Sequence, residues 1–129
     1  MDAEKYDLIT LGRSCIDLYS QNVGAPFNEI TGFDAFVGGS PLNIAVATSR
    51  LGINTSLLTA VGNDKVGEFI IDFLKTEKVN TKTIPVKKGS RTSAAVLGIQ
   101  PPENYPLVFN RETAADSKIE IDEVIYAKI

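Results

Sequence analysis

The segment Gly38-Gly39-Ser40-Pro41-Leu42-Asn43-Ile44-Ala45, followed by Gly52 and Gly62, constrains this chain more than any other stretch. Two successive glycines permit positive φ and remove side-chain bulk, so the backbone of the turn can approach a bound molecule closely. Ser40 reads as an N-cap and Pro41 as the first helical residue, which sets unpaired N–H groups and the positive end of a helix dipole beside the turn. Such a place favours oxygen-rich or anionic ligands. Asn43 stands one turn into a helix whose residues Leu42, Ile44, Ala45, Val46, Ala47 and Leu51 are apolar. It is expected to be a buried polar side chain that donates and accepts at once, as a sugar hydroxyl requires. A plain strand-to-helix turn, with Asn43 bonded to a nearby backbone group, accounts for the same residues. The physical features alone leave both readings open.

Around this turn the chain alternates strand and helix. Tyr6 to Leu11 is a short apolar run ending at Gly12, and Cys15 to Tyr19 alternates in part, which brings Asp17 out near a strand end. Residues 20–32 read as irregular, and Phe33 to Val37 as a half-exposed strand that delivers the chain to the glycines. Gly52 is a suitable C′ residue for the helix, and Thr55 to Val61 the next buried strand. Asn63 or Asp64 can cap a second helix with an apolar stripe at Val66, Phe69, Ile70, Phe73 and Leu74, and Lys75 and Lys78 complement its C-terminal dipole. This order predicts right-handed crossovers and a sheet with helices packed on it. After Asn80 the pattern turns to strands at Thr83 to Val86, Thr92 to Ile99 and Leu107 to Asn110. The Pro-rich loop 100–106 makes a hairpin of the last two. Asp122 caps a final apolar segment that stops at Ile129, and this predicts that residues 1–129 are the front part of a longer protein with an exposed sheet edge.

Composition narrows the partners. A net charge of −3 and the absence of a basic face beyond Lys82, Lys87, Lys88 and Arg91 argue against nucleic acid, and that cluster reads as a solvated strand edge. The single cysteine, Cys15, excludes an internal disulfide and reads as a small packed residue, and the chain has no His to serve as base or metal ligand. Asp2 and Glu4 are unlike the basic start of a signal peptide, and no apolar run reaches the roughly 20 residues of a membrane span. The expectation is a protein of the reducing cytoplasm, with no membrane partner.

Gly38-Gly39, Pro41, Asn43, Ala45, Gly52 and Gly62 together resemble the first signature of the ribokinase-like (pfkB-type) carbohydrate kinases. The resemblance runs over nearly all 129 residues. It implies an α/β fold with a parallel sheet, helices packed on it and a small β-sheet lid, of which only the N-terminal part is present. The lid strands would lie approximately within 17–37 and 92–111. Within the family, Gly12 to Tyr19 and Asn104 to Glu112 with Ala115-Asp116 look most like the kinases of 5-dehydro-2-deoxygluconate, which act in inositol breakdown. Kinases of 2-keto-3-deoxygluconate and of fructose are the other choices. Carried over by position, Asp17 would accept hydrogen bonds from sugar hydroxyls, Gly38 and Gly39 would offer backbone groups, and Asn43 would bond a hydroxyl. Arg111 would clamp a sugar carboxylate through two parallel bonds, the preferred reading over a surface salt bridge to Glu112 or Asp116, which is worth little. Arg91 and Arg13 are weaker candidates, explained as well by exposure at turns. Tyr105 and Phe109 could wall the site or serve packing.

Phosphoryl transfer needs a base for the attacking hydroxyl and a nucleotide held with a metal ion. In the family a Gly-Ala-Gly-Asp segment and nucleotide-binding loops supply these, and the sequence holds neither them nor a Walker-type loop. The parent kinase is therefore expected to use ATP and Mg²⁺ on a primary hydroxyl, while the 129 residues alone bind sugar without catalysis and contain no metal ligands. Two other classes compete. A non-catalytic sugar-binding module, dimeric through open lid strands, is one. A dinucleotide-binding half-domain is the other, disfavoured because Gly12-Arg13-Ser14-Cys15 lacks the G-x-G-x-x-G spacing.

Overall fold

The computed structural model describes residues 5–129; Asp2 and Glu4 lie outside the described residues. The described strands are β1 (Leu8–Leu11), β2 (Cys15–Ser20), β3 (Phe33–Gly38), β4 (Thr55–Leu58), β5 (Val61–Gly62), β6 (Val86–Lys87), β7 (Ser93–Leu97) and β8 (Leu107–Asn110). The helices are α1 (Ser40–Arg50), α2 (Lys65–Thr76) and a single turn, α3 (Glu123–Tyr126). Two parallel pairs, β1 with β4 and β5 with β6, lie under the helices. A separate four-stranded sheet has the order β3-β2-β7-β8, its outer pairs antiparallel and its central pair parallel.

Helix periodicity sets the core. Leu42, Ala45 and Val46 recur at three and four residues, and they bury one face of α1 against Leu57, Val61, Ile70, Leu74, Val79 and Ile84. Thr10 and Thr55 tie the β1–β4 pair to the same helix, through Thr10 Oγ1 to the Pro41 carbonyl at 2.9 Å and a hydroxyl bond between Thr55 and Thr48 at 3.0 Å. Both helices end in the same six-residue pattern. After α1, Gly52 at φ +86° donates to Ser49 O and Ile53 N–H to Thr48 O. After α2, Lys78 at φ +59° donates to Lys75 O and Val79 N–H to Leu74 O, which satisfies the last carbonyls of each helix.

Three expectations are corrected. Ser40 is the first residue of α1, and Gly39 at φ +118° is the N-cap, with no side-chain hydrogen bond. The strand expected over Thr55 to Val61 is interrupted at Thr59-Ala60. Only Val86 of the expected Thr83 to Val86 strand is in a ladder, because the Thr83 hydroxyl bonds the Leu57 carbonyl at 3.0 Å and Pro85 has no N–H to give. Asp64 rather than Asn63 caps α2, accepting from Gly67 N–H at 2.8 Å. Asp122 caps α3 as expected, accepting from Ile125 N–H at 2.8 Å.

Candidate functional site

Asp17, Gly38 and Asn43 come from three elements and line one open cavity of about 440 Å³, together with Tyr19, Phe36 and Val37. Sheet register explains the convergence. Cross-strand partners share a face, so Phe36, Asp17, Ala95 and Phe109 form one row across the four strands. Gly38 pairs with Cys15, one step along the same face, and ends β3 where α1 begins. Tyr19 and Phe36 meet edge to face, ring centroids 5.4 Å apart, and wall the cavity.

The glycines are there for space. A Cβ on Gly38 would lie 2.6 Å from the carboxyl carbon of Asp17, and one on Gly39 would strike the backbone carbonyl of Arg13. The φ of +118° at Gly39 also falls where side chains are strained. No side chain caps α1, Pro41 has no N–H, and the Asn43 N–H is used on Gly39 O at 2.8 Å, so the first-turn donors beside the cavity come down to the Ser40 and Leu42 amides. Asn43 is exposed, which corrects the expectation of a buried amide. Leu42, Ala45 and Val46 take the buried stripe, and Asn43 and Ile44 fall outside it. An exposed amide at the cavity rim still donates and accepts.

Cys15 is fully buried, and its thiol donates to Asp17 Oδ1 at 2.9 Å. Burial pushes the thiol up to about 12, and the hydrogen bond to Asp17 and its charge add to the shift. It is a packed hydrogen-bond donor.

Arg111 follows β8, and its Nε donates to Asp116 Oδ2 at 3.2 Å, the salt bridge named as its alternative. Asp116 is fully buried and also accepts from the Ser14 N–H at 3.3 Å and the Ser93 hydroxyl. One carboxylate thus joins the loop after β1, the start of β7 and the residue after β8. Sequence reasoning treated Asp116 only as a motif position and possible partner; a full set of donors around it was not visible in spacing. Arg91 lies elsewhere, lining a cavity of about 510 Å³ with Asn110 and Lys118. Tyr105 is exposed, and Phe109 lies under the Arg13 guanidinium, 4.9 Å from its centroid.

Asp64 is a second residue whose role spacing did not reveal. Besides capping α2, it accepts from Thr92 N–H at 2.9 Å and Thr92 Oγ1 at 2.7 Å, and Thr92 Oγ1 in turn accepts from Gly62 N–H. Burial alone would raise the Asp64 carboxyl, but the hydrogen bonds from Gly67 and Thr92 outweigh it and hold the group below its ordinary range. This bracket fixes the entry of β7 against α2. Among the described residues there is no group of three or more His, Cys, Asp or Glu side chains that could hold a metal ion. Among them, too, no helix is long and apolar enough to cross a membrane.

The chain is 38% identical over 120 residues to a 5-dehydro-2-deoxygluconokinase of Bacillus anthracis, which covers 92% of this chain and 36% of that protein. The chain therefore spans about a third of the length of the curated relatives it matches. Its fold matches the fructokinase of Halothermothrix orenii with a TM-score of 0.82 at 29% identity, over 93% of this chain and 42% of that one. It also matches a sugar kinase of Pyrococcus horikoshii, solved in complex with ATP, with a TM-score of 0.77 at 30% identity, over 84% and 35% of the two chains. These neighbours show the ribokinase-like α/β fold. The sequence pattern of the pfkB family carbohydrate kinases matches residues 5–127, and with the glycine turn, Asp17 and Asn43 gathered at one cavity, the chain belongs to that family.

Proposed function

We propose that residues 1–129 form the sugar-binding part of an ATP-dependent kinase that phosphorylates a primary hydroxyl of a keto-deoxy sugar acid, 5-dehydro-2-deoxygluconate. The observation that carries this reading is the convergence of Asp17, Gly38 and Asn43 on one open cavity. The relatives' printed activity supports the choice of substrate. In this reading the Asp17 carboxylate, acceptor-only when ionised, takes hydrogen bonds from sugar hydroxyls. The backbone at Gly38 and Gly39 and the Asn43 amide complete the cradle. Arg111 donates from Nε to the Asp116 carboxylate and from Nη2 to the Asp116 carbonyl, and in this reading it presents its Nη1 edge to the substrate carboxylate. The four-stranded sheet serves as the lid, with strands approximately within 17–37 and 92–111, and the chain works in the cytoplasm.

ATP and Mg²⁺ belong, in this reading, to the full-length kinase, and the 129 residues alone bind sugar without turnover. Titration calorimetry with 5-dehydro-2-deoxygluconate and a coupled assay for ADP test both parts. Binding that Asp17→Asn weakens by about tenfold or more, with no ADP released, is the expected result. ADP formed by the pure chain in a substrate-dependent way would sink the second part, and wild-type affinity in Asp17→Asn the first.

A second reading is favoured by the free edge of β8, where Leu107, Val108 and Phe109 are all exposed. A sheet edge of this kind can pair with a second copy, giving a non-catalytic dimerising module. Sedimentation at several concentrations separates a dimer from a monomer.

A further inference from the structure

We propose that Arg13 is a specificity-determining residue that selects acidic over neutral sugars at this cavity, a deepening that rests on the sugar-binding reading above. The cavity so far described offers an anion, Asp17, and neutral groups. An acidic ligand needs positive charge there, and the described residues contain two guanidinium groups close to the sheet face involved. The charge of Arg111, which the reading above turns toward the substrate carboxylate, is shared with the buried Asp116 carboxylate at 3.2 Å, so it offers a new anion only part of its attraction. Arg13 makes no salt bridge to a carboxylate among the described residues; its guanidinium lies 4.9 Å from the centroid of the Phe109 ring.

The register places that stack on the ligand's side of the sheet. Asp17 pairs with Ala95 and Ala95 with Phe109, so Phe109 shares the face from which Asp17 enters the cavity, two strands away. Two strand spacings are about 10 Å. A single polyhydroxylated acid bonded at each end can bridge such a gap. The backbone of Arg13 is anchored too, since its carbonyl fills the space a Gly39 Cβ would need. Arg13 therefore starts at the glycine turn and ends on the far side of the same face, half-buried, with its planar fork supported by an aromatic ring. Stacking on a ring leaves the edges of a guanidinium free for the two parallel bonds that a carboxylate accepts.

The test measures binding by the 129-residue chain of two probes, 5-dehydro-2-deoxygluconate and neutral fructose, in wild type, Arg13→Gln, Arg13→Lys and Asp17→Asn. Arg13→Gln is expected to lose about tenfold or more in affinity for the acid and to keep its affinity for fructose, with Arg13→Lys between, because charge returns without the fork. Asp17→Asn is expected to weaken both probes. An Arg13→Gln variant that binds the acid like wild type, while Asp17→Asn weakens both probes, overturns the role of Arg13 and leaves the sugar site standing. Equal losses for both probes in Arg13→Gln overturn it as well, since they mark a structural residue. Absence of binding by wild type to either probe at millimolar concentration overturns the sugar-binding reading and this inference together.

Discussion

Gly38 leaves the space that the Asp17 carboxylate occupies: a Cβ there would stand 2.6 Å from the Asp17 carboxyl carbon. The ladder partner of Gly38 is Cys15, and Asp17 stands one step along the same face of the β2–β3 pair. Gly38→Ala is expected to turn the carboxylate out of its place, lowering stability by about 1–3 kcal/mol as an overpacked site and weakening sugar binding more than it weakens the fold. Gly39→Ala meets a backbone carbonyl that cannot rotate away and a strained φ, so its loss of stability is expected to be larger. Urea unfolding and calorimetry on both variants check this; a Gly38→Ala chain with wild-type stability and affinity would show that the fit is not needed.

Asp64 makes the join between α2 and β7 dependent on pH. Its carboxyl is held below the ordinary range in the folded chain, so its stabilising contribution is complete above the unfolded value of about 3.9 and disappears as pH falls through the folded value. Asp64→Asn keeps an oxygen for the cap but sets an NH2 group where the Thr92 N–H had its carboxylate acceptor, and it is expected to be less stable than wild type at pH 7 by about 0.5–2 kcal/mol. The gap between the two proteins is expected to hold from pH 7 to 5 and to close below about pH 4. Urea midpoints measured across that range settle the point, and a gap that stays constant down to pH 3 would exclude Asp64 as its source.

Much of this molecule is legible in its sequence because repeating patterns carry it. The i, i+3, i+4 spacing of Leu42, Ala45 and Val46 and of Ile70 and Leu74 marks both helices, and Gly52 marks where the first one ends. The convergence of Asp17, Gly38 and Asn43 follows from a strand end, a glycine turn and a helix start that are adjacent in the motif. What escaped are relations that no local pattern encodes. Apolar Ile44 made α1 look buried all round, although it is 51% exposed and sits with Asn43 outside the core stripe. Asp116 collects donors from Ser14, Ser93 and Arg111, up to 102 positions away, and only tertiary folding brings them together. The same holds for Arg13 and Phe109.

Lys78 ends α2 in the left-handed region, φ +59°, at the position where α1 has Gly52. An L side chain there is disfavoured by about 1–2 kcal/mol, whereas glycine adopts it freely. Its own hydrogen bond to Lys75 O uses only the backbone, and the Val79 N–H bond to Leu74 O is likewise independent of the side chain. Lys78→Gly is expected to raise stability by about 0.5–1 kcal/mol after the added backbone entropy of glycine in the unfolded chain is subtracted. Chemical denaturation of this single variant is the measurement, and a destabilised Lys78→Gly would mean that the lysine side chain contributes more than its backbone strain removes.

Cys15 reports on Asp17 without any ligand. Burial pushes its thiol up to about 12, with the Asp17 hydrogen bond and charge adding to the shift. An ordinary cysteine reaches full thiolate reactivity above about pH 8.5, and the thiolate is the nucleophile. Alkylation of native Cys15 by iodoacetamide is therefore expected to be slow at pH 8 and to keep rising about tenfold per pH unit past pH 10, with no plateau near 9. Asp17→Asn removes the carboxylate that accepts from the thiol, so it is expected to lower the pH at which the rate levels and to speed the reaction at pH 8. Mass spectrometry of labelled chain over time reads both rates. A native rate that levels near pH 9 and ignores Asp17→Asn would separate Cys15 from the acid on which the sugar site depends.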